Sequence, residues 1–198
     1  MKGVVVGCGY FAGIHLDGWA RLGDLCSIAA VCDINANAAE RRAGEYGVDR
    51  TYTNYVQMFE TERPDFVDIV TRPDLHLEVV RAAAERGIAV LCQKPLAPDW
   101  SACVQMVAAA KRGGVPMAVH ENFRFQAPMQ AVKRVIDSGV IGQPSWGRFS
   151  FRFGFDIYKT QPYFHAEKRL VILDSGIHIL DLARFFLGEV LHVSCETQ

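Results

Sequence analysis

A run of valines opening directly into a glycine-spaced turn constrains this chain more than any other feature. Lys2-Gly3-Val4-Val5-Val6 leads into Gly7-Cys8-Gly9-Tyr10-Phe11-Ala12, and a helix-compatible segment follows. In a G-x-G-x-x-A pattern the first glycine permits a tight turn and the second lets a pyrophosphate approach bare backbone. The small third position allows close helix-to-strand packing, and the helix N-terminus faces the phosphate charge. Gly7, Gly9, Tyr10, Phe11 and Ala12 are therefore candidate cofactor contacts. Asp33 stands 21 positions past Ala12, at the end of the next apolar run. A carboxylate there accepts the ribose hydroxyls and repels a 2′-phosphate, so NAD is favoured over NADP. The competing reading is a plain glycine turn with Asp33 as a helix cap.

The rest of the first 120 residues keeps the rhythm of βαβ units. Apolar runs at Gly3–Val6, Ser27–Cys32, Phe66–Val70, Ala89–Cys92 and Met117–His120 alternate with helical patterns at 11–22, 36–46, 54–60, 74–86 and 99–112. Runs that are nearly all apolar suit strands covered on both faces, so the fold class is α/β with a doubly wound parallel sheet of Rossmann type. Beyond residue 120 the texture changes. A helix is expected over 128–137, a long aromatic strand over 145–153, a helix over 174–187 and a further strand from Val190 to Ser194. The predicted division is a dinucleotide-binding domain over 1–120 and an incomplete substrate-binding α/β domain over 121–198.

Composition removes several function classes. Lys plus Arg number 21 against 22 Asp plus Glu, with no basic stripe, so no nucleic-acid partner is expected. The apolar runs stop far short of the roughly 18 residues a membrane helix needs, and the valine run is too short for a signal-peptide core. The six cysteines contain no C-x-x-C pair. No metal site is expected, and a reducing cytoplasm fits them best.

Candidate chemistry lies at strand ends and on one late helix. Gln93-Lys94-Pro95 follows the Ala89–Cys92 run, and Thr71-Arg72-Pro73-Asp74 follows Phe66–Val70. In an open α/β sheet these carboxyl-end loops line the ligand crevice. Thr71 is either a cofactor contact or a simple turn residue. His15, in the first helix, reads as packing more readily than chemistry. Asp174 and His178 are four residues apart and Asp181 follows, which on an α-helix places all three on one face. The bland alternatives are a surface lysine before a proline and a capped helix with a polar face. The mixed stretch 152–169 offers Arg152, Asp156, Tyr158, Lys159, Gln161, Tyr163 and His165 to a polyhydroxylated ligand or to solvent.

Taken in order, the glycine turn with His15, the Lys94-Pro95 pair, the stretch from Asn122-Phe123-Arg124-Phe125 to Ile141-Gly142, and the Asp174/His178 helix resemble the Gfo/Idh/MocA family. The resemblance spans nearly the whole chain. It implies an NAD(P)-carrying Rossmann domain and a second domain with an open, largely antiparallel sheet. It also implies oxidation or reduction of sugars, cyclitols and related polyols at a secondary carbinol. Lys94 then matches the lysine of the family's Glu-Lys-Pro motif, while Asp174 and His178 match its second motif. His178 is placed to accept the hydroxyl proton, Asp174 to hold the substrate hydroxyl or the imidazole, and Lys94 to stabilise the alkoxide. A lysine acting as the base would need its ordinary pKa of about 10.4 lowered. Asn122 and Arg124 are candidate substrate contacts, with Arg124 alternatively bracing structure.

Two departures stand out. Gln93 replaces the usual Glu, and Leu170-Val171-Ile172-Leu173 occupies the place of a common glycine triplet. Family members continue well beyond this length, so the chain is expected to be a fragment or to gain cover from another chain, with homo-oligomerisation through the second sheet. Two other functions compete with a dehydrogenase. One is a non-catalytic dinucleotide-binding module; the other is NAD-dependent redox-neutral chemistry such as elimination or glycoside cleavage.

Overall fold

A computed structural model describes the chain except residues 153, 155, 167, 197 and 198 and the side chains of 160, 163 and 166. The expected contributions of Phe153 and Tyr163 fall outside the described residues. The chain divides into two compact units, residues 1–120 and 121–198.

The first unit is built on β1 (Lys2–Val6), β2 (Ser27–Cys32), β3 (Arg50–Tyr52), β4 (Phe66–Ile69), β5 (Ala89–Cys92) and β6 (Met117–Val119). They form one sheet in the order β3-β2-β1-β4-β5-β6, every pair parallel. Five helices cross between them: α1 (Tyr10–Ala20), α2 (Ala36–Tyr46), α3 (Tyr55–Glu62), α4 (Pro73–Ala84) and α5 (Trp100–Gly113).

Strand alternation sorts the core into two layers. Val4, Val6, Ala30, Cys32, Val67 and Ile69 pack with Met58, Phe59, Val79, Val80 and Met106 from α3, α4 and α5. Val5 and Val31 point the other way, onto Ala12 and Leu16 of α1 and Ala39 and Ala43 of α2. A period of two with both faces apolar is what a doubly covered sheet demands.

Helix ends follow their local chemistry. The Asn35 side chain accepts from the Asn37 and Ala38 amides, Asn54 caps α3 in the same way, and Asp99 accepts from Ala102 at 2.9 Å. Such caps satisfy amides that the helix itself leaves open. Gly47 and Gly114 close α2 and α5 in the left-handed conformation.

The strand missing from the sequence reading is β3. It has three residues and lies at the sheet edge, with Arg50 and Thr51 exposed. So short and polar an element has no periodic signature.

The second unit carries α6 (Ala127–Asp137), a single turn α7 (Ile157–Thr160) and α8 (Ile177–Leu187). Two expectations change here. Neither 145–152 nor 190–194 forms a strand. Strand structure needs a hydrogen-bonded neighbour, and the described residues of this unit provide none. The helix expected over 174–187 also has two parts, because Val171–Gly176 forms a wider π-helical turn before α8 begins.

Candidate active site

The order of strands reverses between β1 and β4, so loops leaving their carboxyl ends diverge and open a crevice there. Gly7 follows β1 with φ +102°, and a Cβ on it would lie 2.5 Å from the Val70 carbonyl oxygen. Only glycine fits that turn. At Gly9 the situation is opposite: a Cβ would meet nothing within 4 Å. Gly9 is exposed and is the N-cap of α1, with no side chain capping it. Bare backbone, open space and a helix N-terminus together fit a dinucleotide phosphate.

Asp33, at the end of β2, accepts from the Cys8 amide at 2.8 Å through Oδ2 and from the Asn35 amide at 2.9 Å through Oδ1. Its carboxylate is thereby fixed against the glycine turn, and each oxygen keeps acceptor capacity for a ribose hydroxyl. The Cys8 thiol is pushed up to about 12 by burial and by the adjacent Asp33 charge, so it stays protonated. Arg42 reaches over from α2 and donates to the Gly9 carbonyl at 2.9 Å, anchoring the turn from behind. Tyr10 is exposed, Phe11 half-buried and Ala12 fully buried. These three therefore divide between the turn's surface and its packing.

The loops after β4 and β5 both reach His76, a residue the sequence reading did not single out. It is fully buried, with Nδ1 3.0 Å from the Leu96 carbonyl oxygen and Nε2 3.0 Å from that of Thr71. Burial holds its imidazole below the ordinary histidine range. Thr71 itself turns its hydroxyl to the Arg72 carbonyl. Lys94 is half-buried just past β5, before a cis Pro95. Its amide donates to the Gln93 side chain at 2.6 Å.

His15, expected to be packing, is buried in a polar network. Its Nδ1 is 2.9 Å from Asp68 Oδ2, its Nε2 is 2.9 Å from Gln93 Nε2, and its ring stacks on His120 at 4.2 Å. Asp68 also escaped the sequence reading. One aspartate inside the run Phe66-Val67-Asp68-Ile69-Val70 was the available signal, because a lone acid in a doubly covered strand must have partners.

In the second unit, His178 is buried on α8 and its Nδ1 lies 2.8 Å from both oxygens of Glu121. The Phe123 ring lies flat on the imidazole, with centroids 3.9 Å apart and planes 5° apart. Three positions along α8, Asp181 pairs with Arg124 through two hydrogen bonds. That pair holds the Arg124 guanidinium even further above its usual value. Residues 121–124 thus fasten to one face of α8 through a carboxylate–imidazole and a guanidinium–carboxylate pair. Asn122, between them, is exposed.

The expected grouping of Asp174 with His178 on an α-helical face is modified. Asp174 lies in the π-helical turn, and the carboxylate that grips His178 is Glu121. The sequence reading missed Glu121 because 57 residues separate it from its partner. Among the described residues there is no cluster of three or more His, Cys, Asp or Glu able to hold a metal ion. No helix there is long and apolar enough to cross a membrane.

The chain is 43% identical over 196 residues to a D-apiose dehydrogenase of Paraburkholderia graminis, covering 99% of this chain and 52% of that protein. It is 30% identical to inositol 2-dehydrogenase 2 of Saccharopolyspora erythraea, covering 93% and 53% respectively. The chain thus spans about half the length of the curated relatives it matches. A crystal structure of an oxidoreductase from Agrobacterium radiobacter, in complex with NAD+, L-tartaric acid and magnesium, superposes with a TM-score of 0.92. It is 43% identical, and the match covers 96% of this chain and 55% of that one. Residues 129–198 match the GFO/IDH/MocA C-terminal domain. Residues 1–121 match the oxidoreductase family with an NAD-binding Rossmann fold, so the chain belongs to the Gfo/Idh/MocA family.

Proposed function

We propose that this chain is part of an NAD-dependent dehydrogenase acting on a secondary carbinol of a sugar, cyclitol or related polyol. The observation that carries the proposal is Glu121 on Nδ1 of His178. A carboxylate there holds the imidazole proton on Nδ1 and leaves Nε2 as the basic nitrogen. The similarity to sugar and inositol dehydrogenases supports the substrate class.

Gly7, Gly9 and the first turn of α1 receive the pyrophosphate, with Tyr10, Phe11 and Ala12 shaping that turn. Asp33 would receive the adenosine ribose, and Thr71 and Lys94 would contact the nicotinamide end. Bound NAD supplies the hydride acceptor. His178 Nε2 takes the hydroxyl proton as the carbonyl forms, and the Glu121 carboxylate stabilises the resulting imidazolium. The Lys94 ammonium stabilises the negative charge that develops on oxygen. With Nδ1 of His178 engaged by Glu121, Asp174 is assigned to the substrate hydroxyl. Asn122 is a substrate contact, and Arg124 braces the segment that carries it through Asp181.

The test is a cofactor-coupled screen of sugars and inositols on the full chain and on Lys94→Ala and His178→Ala. Each variant is expected to lower kcat by roughly 10²-fold or more while NAD affinity stays within a few-fold. Wild-type turnover in either variant overturns that residue's role. NAD binding without turnover of any polyol overturns the reading as a whole.

A further inference from the structure

The polarity of the buried network around His15 follows from one group whose role is not negotiable. A backbone N–H can only donate, so the Gln93 atom 2.6 Å from the Lys94 amide is the side-chain oxygen. The other end of that amide, NH2, can likewise only donate, and it faces His15 Nε2 at 2.9 Å. That nitrogen must therefore carry the lone pair. The one proton of a neutral imidazole is then on Nδ1, where the Asp68 carboxylate accepts it at 2.9 Å. The Trp19 indole, also a pure donor, reaches the same Asp68 oxygen at 2.7 Å. Asp68 is fully buried, His15 is 5% exposed, and His120 stacks on the ring. The imidazole is held by partners at both nitrogens and on a face.

We propose that His15, as the neutral Nδ1–H tautomer, is a positioning residue for the Gln93-Lys94 turn. Asp68 orients His15, His15 orients the Gln93 amide, and Gln93 holds the backbone of Lys94. The assignment of Lys94 to chemistry rests on the function proposed above; the direction of the hydrogen-bond chain does not.

The departure at position 93 thereby acquires a physical meaning. A glutamate there still accepts from the Lys94 amide, but its second oxygen faces the His15 lone pair. That clash is relieved by protonating Nε2, which gives an imidazolium between two carboxylates. The net charge of the three side chains at positions 68, 15 and 93 is minus one in both cases. Gln93 with a neutral His15 is one matched arrangement, and a glutamate at that position with a charged His15 is the other.

The deciding measurement is nitrogen-15 NMR of the histidine-labelled full chain, with and without Gln93→Glu. His15 is expected as the neutral Nδ1–H tautomer, becoming doubly protonated at neutral pH in Gln93→Glu. An Nε2–H tautomer or an imidazolium in the parent chain overturns the proposal, as does a neutral His15 in Gln93→Glu. In His15→Ala, exchange of the Lys94 amide proton should rise about tenfold, the loss of roughly one hydrogen bond; unchanged exchange also overturns it. Where the polyol assay reads turnover, His15→Ala should lower kcat about tenfold through misplacement of the turn, leaving KM and NAD affinity within a few-fold. Failure of Lys94→Ala to slow turnover removes the catalytic reading alone, since tautomer and amide exchange still decide the positioning role.

Discussion

The two units of this chain hold their candidate site residues by different means. In the first, the largest fully buried side chains, from Phe59 and Leu16 to Asp68, pack against a sheet covered on both faces. Its candidate site residues sit on loops leaving strand ends, so their positions are inherited from hydrogen-bonded registers. In the second unit the buried apolar residues among those described are Ile157 and Leu182, whereas Trp146 is 78% and Leu191 89% exposed. There the candidate residues are held by named pairs: Glu121 with His178, Arg124 with Asp181, and the Phe123 ring on the imidazole. Packing energy is spread over many contacts, but pair energy resides in a few atoms. A substitution in the core should therefore cost the first unit stability, and a substitution in one of these pairs should cost the second unit geometry.

The largest effect expected from this contrast is on the core. Phe59→Ala removes a fully buried ring from the α3 layer and should cost about 3–5 kcal/mol in urea unfolding. A loss below about 1 kcal/mol would mean that the layer collapses around the gap and that the contrast is weaker than the packing implies. Next is Glu121→Gln, which keeps the shape but removes the charge facing the imidazole. It should lower kcat by roughly 10²-fold, because the imidazole loses the charge that fixes its Nδ1 proton and stabilises its protonated form, with little change in the melting of the first unit. Equal losses of stability and turnover would erase the distinction between the units.

The smallest effect tests an electrostatic pair within the well-packed unit. Burial alone would raise the Glu62 carboxyl, but hydrogen bonds from Tyr52 and Lys2 and the charges of Arg50 and Lys2 hold it below the ordinary range. A lowered folded value means that Glu62 stabilises the fold above the unfolded value of about 4.3 and ceases to as pH falls through the folded one. Glu62→Gln should remove about 1–2 kcal/mol at neutral pH and flatten the acid limb of the stability profile. An unchanged acid limb would show that another carboxylate governs it.

Several of these features were readable before any coordinates. Gly7 needs a positive φ and Gly9 an open approach, and both demands are visible as spacing because they are local to a few bonds. Asp99, Gly47 and Gly114 mark helix ends for the same reason. Asp68 was readable in principle, as an acid in an apolar run, but its partners were not. His15 is 53 positions away from it and Glu121 is 57 from His178. The spacing rule also assumed a single backbone type: four residues span about one turn of an α-helix, and Asp174 lies in a wider turn that precedes α8.

By itself, the sequence determined the alternation of covered strands and helices, the glycine turn with its aspartate, and the residues available for proton and charge work. These follow from periodicity and from stereochemistry within a few residues. Only the tertiary structure decided which carboxylate holds which imidazole, that Asp68, His15 and Gln93 form one hydrogen-bond chain, and that the described stretches 145–152 and 190–194 form no strand. Hydrogen bonds between distant segments depend on where the folded backbone brings them, and no linear spacing encodes that distance.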